Sequence, residues 1–483
     1  MSKSKALKLI QEDFTVRPSS VQGRKKLVRQ DRYDVQNDEC YVELFGKSFK
    51  VLDLNSFGVA LTSDEPIEAD ILNSAPLVFE NIEVGQVNLT KVRHEKEETG
   101  SYKTAFEVSG APINTEYIEA IKSSFMVIGQ HQESLKKFEA IPKEFKALVL
   151  DVKDWLEGIQ NYTNSLQSTR KFTSSEEKKN FEDAVCEVLA DYFKLNFTKA
   201  YGGFTSLMNQ YDDAKIKLCF EYFRSKLNEL LHQSIFADRS YNKPLGYAGD
   251  FEMMNIIYRS ENFGESLFEK ALQRYYVQEP AARAVKNRSV YLKNKIKQEI
   301  LNRKDQQVIK FLSVASGPAR EVQLVVQDPE VQEFLHKVEF HFVDQDLSSL
   351  KHAQNKLHAF KKSKKLEYGL VFHNLAIKNI IGRGLPESDF DMIYSAGLYD
   401  YFTEPVAKMS NEKLYHGLKK GGRLIIGNFS MDNPDECAMT MALDWKLIYR
   451  SDDEMKSMFA HLPSEVDIEK EDEGVNLFAN LIK

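Results

Sequence analysis

The stretch FLSVASGPAREV, residues 311–322, decides the fold that we expect for the second half of the chain. Its first residues are apolar, the run breaks abruptly into Ser-Gly-Pro-Ala-Arg, and a helical pattern follows. This is the pattern of a buried strand that runs into a tight turn and then into a helix, and such turns often bind ligands. The turn is therefore the first candidate for a binding site.

Strands and helices alternate from about residue 308 onward. After the opening strand, further strand-like segments separated by helical patterns are VEFHFVDQD, KLEYGLVFHN, FDMIYSAG and RLIIGNFS. Alternation at this spacing predicts a mostly parallel, doubly wound α/β sheet with ligands at the carboxyl ends of its strands. The last segment, 461–483, is expected to close the sheet with an antiparallel strand pair.

The upstream part of the chain changes pattern twice. Residues 20–118 alternate apolar and polar side chains between turn residues, which predicts a small antiparallel β-barrel. Residues 119–236 have a helical period and are expected to form a helical connector, in which Thr173 and Glu176 have the spacing of a capping box. Residues 237–483 would form the α/β domain, preceded by a Gly- and Pro-containing loop, ADRSYNKPLGYAGDFEMMN, of the kind that is often functional.

Composition excludes several classes of protein. The 483 residues are 42% hydrophobic and 28% charged, which is enough apolar surface for several packed cores. The net charge of −7 argues against nucleic acid as the main partner. The four cysteines include no CxxC pair, and neither an apolar leader nor a long apolar run occurs. A cytoplasmic protein without membrane insertion is therefore expected, and its oligomeric state is not indicated.

The turn after the first strand and the acid after the second form the main constellation. Ala315, Ser316 and Gly317 are small enough for a ligand to approach the backbone, and Asp344 could accept hydrogen bonds from ribose hydroxyls. The dinucleotide fingerprint GxGxxG is absent, and Gly317 and Asp344 are 27 positions apart. A nucleoside-containing cofactor fits both features, although ordinary turns of an α/β sheet remain the alternative.

Four motifs taken in order resemble those of class I S-adenosylmethionine-dependent methyltransferases: FLSVASGPAREV, HFVDQD, FDMIYSAGLYDYF and LKKGGRLIIGNF. The resemblance covers roughly residues 240–483 and implies S-adenosyl-L-methionine as cofactor. It implies that the cofactor-binding residues include Ala315, Ser316, Gly317, Asp344, Asn374 and Ser395. Ala315 and Ala319 stand where the family usually has glycine.

Two further segments, YNKPLGYAGDFEMMN and AARAVKNRSVYL, resemble a bacterial subgroup named for making hydroxy-fatty-acid methyl esters. This resemblance implies that Tyr247 and Asp250 cover the sulfonium, since aromatic faces and carboxylates both favour a cation. Arg283 and Arg288 would bind an acidic small-molecule acceptor, or they would tie one helix to another.

Tyr399 and Asp400 follow the fourth strand, near the expected position of the transferred methyl group. They are candidate catalytic residues for an acceptor whose proton must be removed, whereas a carboxylate acceptor needs no strong base. Core packing is the alternative for the tyrosine.

The N-terminal segment resembles a PilZ domain, the bacterial receptor for cyclic di-GMP. The residues that carry this resemblance are Lys25, Arg29, Asp53, Asn55 and Gly58. It implies cyclic di-GMP as a second ligand and a regulator of the enzyme. The alternative is a signalling protein in which the barrel binds cyclic di-GMP or a partner and the cofactor domain is a non-catalytic scaffold.

The ten histidines form no HxxxH or HExxH motif, so no metal site is expected. His341 and His373 lie on expected strands and are interpreted as core or rim residues with satisfied hydrogen bonds.

Overall fold

The computed structural model describes residues 33–35 and 39–483. The chain divides into two compact units, one comprising the described residues up to Lys137 and the other Phe138–Lys483. The helices from residue 143 onward therefore belong to the same unit as the C-terminal sheet.

The first unit is an antiparallel β-barrel. Six strands close on themselves in the order β3-β2-β5-β6-β7-β4, because β3 also pairs with β4, and the short β1 pairs with β3. The strands are β1 (Tyr33–Asp34), β2 (Cys40–Leu44), β3 (Lys47–Asn55), β4 (Gly58–Ser63), β5 (Ile71–Phe79), β6 (Ile82–Lys96) and β7 (Tyr102–Ser109). Closure pairs the strand edges that an open sheet would expose. The barrel expected from the alternation is confirmed.

A helix, α1 (Thr115–Glu139), follows the barrel. Its Ile118 and Ile121 pack into the barrel core with Leu54, Leu61 and Val108. The two isoleucines are three residues apart and thus share one helix face.

In the second unit, all of whose residues are described, seven helices precede the sheet. They are α2 (Lys143–Thr169), α3 (Ser175–Met208), α4 (Asp213–Leu231), α5 (Ile235–Asn242), α6 (Phe251–Arg259), α7 (Leu267–Gln278) and α8 (Pro280–Asn302). One continuous core holds α2 to α7 together, and in α3 it buries Phe193, Phe197 and Phe204 at helical spacing.

The start of α3 lies one residue later than its sequence predicts. Ser174, not Thr173, is the N-cap, and its hydroxyl accepts a hydrogen bond from the Glu177 N–H at 3.1 Å. The Glu177 carboxylate in turn accepts from the backbone N–H of Thr173 at 2.8 Å. Both Thr173-x-x-Glu176 and Ser174-x-x-Glu177 have the capping-box spacing, so the sequence alone did not separate them.

The C-terminal sheet has seven strands in the order β10-β9-β8-β11-β12-β14-β13. The strands are β8 (Ile309–Val314), β9 (Val338–Asp344), β10 (Gly369–Asn374), β11 (Phe390–Ser395), β12 (Leu418–Phe429), β13 (Asp467–Lys470) and β14 (Asn476–Ile482). The pairs from β10 to β12 are parallel, and β14 pairs antiparallel with both β12 and β13. The predicted doubly wound sheet with an antiparallel closing pair is thus confirmed.

Helices cover both faces of this sheet. They are α9 (Arg320–Val325), α10 (Leu347–Lys364), α11 (Ile377–Arg383), α12 (Glu404–His416), α13 (Glu436–Met441) and α14 (Asp452–Ser457), with 3-10 turns at Gln332–Lys337 and Tyr399–Tyr401. Two buried clusters lie on opposite faces, one around Phe311 and Phe340 and the other around Leu312 and Ile393.

The strand order reverses between β8 and β11, which are adjacent in the sheet but not in the chain. In open α/β sheets ligands bind outside the carboxyl ends of the strands at this point. Over residues 33–35 and 39–483, no helix is long and apolar enough to cross a bilayer.

Candidate functional site

The turn after β8 is held in an unusual backbone conformation. Ala315, Gly317 and Ala319 have φ of 52°, 53° and 53°, the left-handed region that glycine adopts freely and alanine does not. The Ser316 N–H donates to the Val343 carbonyl at 3.2 Å, which fastens the turn to β9. The two alanines thus adopt the conformation for which glycine is usual.

The Asp344 carboxylate organises this turn from the end of β9. It accepts a hydrogen bond from the Gly317 N–H through Oδ2 and one from the Asp346 N–H through Oδ1, each at 2.9 Å. Burial raises the pKa of Asp344, and the two N–H groups partly offset this effect. A carboxylate has about four acceptor positions, so each oxygen can still accept from one ligand hydroxyl.

A cavity of about 390 Å³ opens at the switch point of the sheet. Its floor and walls come from the ends of four parallel strands, in segments 313–318, 343–345, 375–377 and 394–398. Its cover comes from the 246–258 segment and from Arg288 on α8. The volume lies within the range of small-molecule and cofactor sites.

Two features of the turn fit a bound nucleoside cofactor. The Ser316 hydroxyl is buried in the cavity wall and has no hydrogen-bond partner among the described residues. A Cβ built on Gly317 would meet no atom within 4 Å, so the space beside its backbone is open to a ligand. Together with the acceptor positions on Asp344, these residues provide a polar cradle.

Aromatic side chains and one buried acid form the rest of the wall. Tyr247, Phe251 and Tyr258 lie on the cover, and Tyr394 lies beneath. The Tyr394 hydroxyl donates to the Glu321 carboxylate at 2.8 Å. Burial raises the pKa of Glu321, while Tyr394 and Arg288 oppose that rise. Aromatic faces and a carboxylate both stabilise a cation.

Arg288 is the buried positive charge of the cavity. Its guanidinium donates to the Met254 thioether at 3.1 Å, and among the described residues no carboxylate oxygen lies within 4.0 Å of it, although the Glu321 and Asp400 carboxylates interact with its charge at longer range. It lies across Gly397, where an added Cβ would be 2.8 Å from Nη1. A buried guanidinium that lines a cavity and forms no direct ion pair can bind an anionic group there.

Asp250 and Arg283, two predicted ligand-binding residues, have their charges paired within the protein. Asp250 forms a bidentate pair with Arg239 at 2.9 and 2.7 Å and caps α6 by accepting from the Met253 N–H. Arg283 is paired with Glu473 at 2.7 Å. Neither side chain lines the cavity, so its cover uses Tyr247 and Arg288 of the two predicted pairs.

Asn374 and Ser395 support the cavity from behind its wall. The Asn374 amide donates to the carbonyls of Asp344 and Gln345 at 3.1 and 3.0 Å. The Ser395 hydroxyl donates to the Val314 carbonyl at 2.9 Å. Both side chains tie neighbouring strand ends together.

Tyr399 and Asp400, the predicted catalytic pair, point into the core. The Tyr399 hydroxyl donates to Ser410 at 2.9 Å, and the Asp400 carboxylate accepts from the Phe429 N–H at 2.6 Å. Burial raises the pKa of Asp400 to about 6. The cavity is lined instead by their neighbours Leu398, Tyr401 and Phe402.

Sequence reasoning missed Glu321, Tyr258 and Gly397. Glu321 follows Gly317 by four positions, and Gly397 lies in the quoted motif FDMIYSAGLYDYF. Both could therefore have been proposed from their proximity to these motifs. Tyr258 lies on α6, in a helical segment with no motif of its own.

The barrel residues of the predicted nucleotide motif lie on one hairpin. Asn55 and Gly58 are paired at its turn, and the Asn55 side chain accepts from the Phe57 N–H at 3.0 Å. Asp53 lies 3.9 Å from the Lys103 ammonium. Lys25 and Arg29 lie outside the described residues.

His341 and His373 differ from expectation. His341 is 1% exposed, yet neither of its ring nitrogens has a hydrogen-bond partner among the described residues, and the same holds for Nε2 of His373. Both residues lie on strands of the sheet, as expected, and carboxylate oxygens of Glu339 and Glu387 lie 3.5 and 3.6 Å from the His341 nitrogens. The expected hydrogen bonds are missing at His341 and at Nε2 of His373.

No family model matches the chain, and no curated protein matches it. Solved structures do match. A "possible exported protein" from Bordetella parapertussis has a TM-score of 0.38 at 12% identity over 48% of this chain and 79% of its own. Magnesium protoporphyrin IX methyltransferase from Synechocystis, with bound S-adenosylhomocysteine, has a TM-score of 0.33 at 7% identity over 42% and 86%. The N-methyltransferase NodS from Bradyrhizobium japonicum, in complex with the same product, has a TM-score of 0.27 at 12% identity over 40% and 87%. These TM-scores are all below 0.5, and the residues of the cavity are therefore the basis on which a function can be assigned.

Proposed function

We propose that this protein is an S-adenosylmethionine-dependent methyltransferase that acts on a small carboxylate-containing molecule, such as a hydroxy fatty acid. The observation that carries the proposal is the cavity at the switch point of the sheet, where open space beside Gly317 meets the acceptor oxygens of Asp344. A ribose diol needs such a carboxylate, and a nucleoside needs the apolar wall of residues 375–377.

When bound, S-adenosylmethionine supplies a methyl group on a sulfonium, and the electrons of the broken C–S bond return to sulfur as the acceptor atom bonds to carbon. Tyr247, Tyr258 and Phe251 cover the cavity and exclude water from it. Glu321 places a carboxylate in the same wall and favours a cationic ligand over its neutral product. The chain thus acts by holding and aligning the two reactants.

Arg288 is the residue that supports a carboxylate-containing ligand. Among the described residues its guanidinium forms no direct ion pair with a carboxylate, and it lines the cavity. A carboxylate oxygen is nucleophilic without proton removal, and this agrees with the engagement of Tyr399 and Asp400 in the core. Arg288 therefore holds either the acceptor carboxylate or the carboxylate of the cofactor.

The first experiment is mass spectrometry of the purified full-length protein for a retained nucleoside, followed by incubation with isotopically methyl-labelled S-adenosylmethionine. Hydroxy fatty acids and the corresponding alcohols serve as paired acceptors. Labelled methyl ester from the acids alone is expected. Transfer to the alcohols alone would refute the proposal that the acceptor group is a carboxylate. Absence of nucleoside binding by folded protein would refute the proposal that the protein is a methyltransferase.

Regulation by cyclic di-GMP is a second proposal, supported by the hairpin that carries Asp53, Asn55 and Gly58 beside the half-exposed ring of Phe57. Calorimetric titration of cyclic di-GMP into wild type and the Arg29→Ala variant tests it. Wild type is expected to bind cyclic di-GMP, and the substitution is expected to abolish this binding. If wild type does not bind, cyclic di-GMP is not a ligand of the barrel. Binding of cyclic di-GMP without that of S-adenosylmethionine would favour a non-catalytic signalling protein.

A further inference from the structure

A second cluster of polar side chains lies inside the C-terminal sheet, away from the cavity. His341 on β9, His373 on β10 and Glu387 in the segment before β11 each offer one ligand atom, and these three atoms lie within 4.8 Å of one another. None of the three lines the cofactor cavity. His341 precedes Asp344 by three residues of strand, which separates the cluster from the ribose acceptor by roughly 10 Å.

The imidazole of His341 carries the argument. It is 1% exposed, and both ring nitrogens lack a hydrogen-bond partner among the described residues. An imidazole buried in this way loses its hydrogen bonds to water, and the nearest carboxylate oxygens, at 3.5 and 3.6 Å, are too distant to replace them fully. Native proteins rarely leave such a group unpaired, and a bound ion is one recognised explanation.

Two distances around the His341 ring are compatible with a metal site. Nδ1 of His341 lies 3.6 Å from Oε1 of Glu387, close to the roughly 3.3 Å between ligand atoms that bond lengths of about 2.0–2.1 Å give in a tetrahedral site. On the other side of the ring, Nε2 lies 3.5 Å from the Glu339 carboxylate. Metal-binding histidines usually have a carboxylate next to the second nitrogen, which fixes the tautomer.

The second histidine is placed to complete the set. The rings of His341 and His373 are nearly parallel, at 13°, with centroids 5.9 Å apart. Nε2 of His373 is also buried without a partner. Rotation about χ2, a broad torsion in histidine, can turn the nitrogens of both rings toward a common point.

The surrounding charge favours a divalent cation. Glu387 and Glu339 contribute two carboxylates, and Lys310 contributes one ammonium at 3.2 Å from Oε2 of Glu387. The lysine engages Oε2, so Oε1 remains directed to His341.

We propose that His341, His373 and Glu387 bind one divalent transition-metal ion, with Zn²⁺ as the best match. Two imidazoles and one carboxylate suit Zn²⁺ with a water as fourth ligand. The ion would join β9, β10 and the segment that leads into β11, and it would lie outside the methyl-transfer cavity. It is therefore a stabilising site and has no part in the methyl-transfer step.

The test uses full-length protein that has been treated with a chelator and desalted. Titration with ZnCl₂, followed by calorimetry, is expected to give one equivalent per chain with a rise in unfolding temperature. Co²⁺ is expected to give the visible absorption of a four-coordinate nitrogen and oxygen site. Failure of the wild type to bind one equivalent would overturn the proposal.

Three variants localise the ion. His373→Gln and Glu387→Gln each keep a polar side chain at a half-buried position, and each is expected to weaken Zn²⁺ binding by more than about tenfold. His336→Gln, which alters an exposed histidine, is the control and should leave the affinity unchanged. Unchanged affinity in both cluster variants, or an equal loss in the control, would assign the bound ion elsewhere. Circular dichroism verifies that each variant folds.

Discussion

Replacement of Gly317 by alanine separates the binding role of the turn from its conformation. Gly317 has φ of 53°, and a Cβ there would meet no protein atom within 4 Å. The new methyl group would therefore project into open cavity space without a clash in the free protein. Ala315 and Ala319, which flank Gly317 with nearly the same φ, demonstrate that the turn tolerates such a methyl group.

The cost to stability and the cost to binding have different sizes. A left-handed alanine costs about 1–2 kcal/mol of unfolding free energy relative to an allowed conformation. A methyl group forced into space that a ligand fills costs about 1–3 kcal/mol of binding free energy, or roughly 5- to 150-fold in Kd. The two effects are measured separately by thermal unfolding and by calorimetric titration of S-adenosylhomocysteine.

Gly474 supplies the matched control. It lies in the turn between β13 and β14 with φ of 73°, and a Cβ there also meets nothing within 4 Å. Gly474→Ala should lower the unfolding temperature about as much as Gly317→Ala and leave nucleoside affinity unchanged. Equal affinity of the two variants for S-adenosylhomocysteine would refute the placement of the cofactor beside Gly317.

Three further outcomes are expected. Arg288→Lys keeps the charge and loses the planar fork, so the affinity for one carboxylate-containing ligand should fall about tenfold. A higher Kd for S-adenosylmethionine would show that Arg288 binds the cofactor carboxylate, and a higher KM for the acceptor would show that it binds the substrate. No change in either constant would contradict a role in binding an anion. Burial and the nearby Asp435 raise the pKa of Glu279 to about 8. The stability that Glu279 contributes is thus complete below about pH 4.5 and is lost as pH rises through about 8. In denaturant titrations between these pH values, the unfolding free energy of Glu279→Gln should rise relative to that of wild type by up to about 1.4 kcal/mol per pH unit. A difference that does not depend on pH would refute the raised pKa. Ala315→Gly relieves a left-handed alanine at an exposed position and should raise the unfolding free energy by about 0.5–1 kcal/mol, and a fall would contradict the strain.

The sheet was predictable because its signals are local. Apolar runs, the break at Gly317 and the acid at Asp344 occur in consecutive strand and turn segments, and alternation at this spacing favours one topology. The closing pair β13–β14 was predictable for the same reason. The capping shift from Thr173 to Ser174 shows the limit of local signals, since two overlapping boxes have equal spacing.

The direction of individual side chains was not predictable, because distant partners decide it. Arg283 turns to Glu473, 190 residues away in the chain, and not to the cavity. Asp400 turns to the backbone of Phe429 on the neighbouring strand. A single sequence contains no signal for such long-range pairings. The sequence could therefore predict that a polar residue lies near the site, but not whether its side chain points into it.

The proximity of the two histidines was not predictable for a related reason. His341 and His373 are 32 residues apart and match no metal-binding spacing. They become neighbours only because β9 and β10 pair in parallel, with His373 opposite Val343 and His341 opposite Val371. Register in a sheet is a tertiary property, and spacing rules for ligands on one helix or loop do not detect it.

The most direct test of the central claim is calorimetric titration of S-adenosylhomocysteine into the folded full-length protein. The product is a suitable probe because it contains the ribose that Asp344 would bind and requires no knowledge of the acceptor. One equivalent per chain is expected, with affinity reduced in Asp344→Ala, which removes the acceptor oxygens. No heat of binding from folded wild-type protein would contradict the assignment of the cavity to this cofactor.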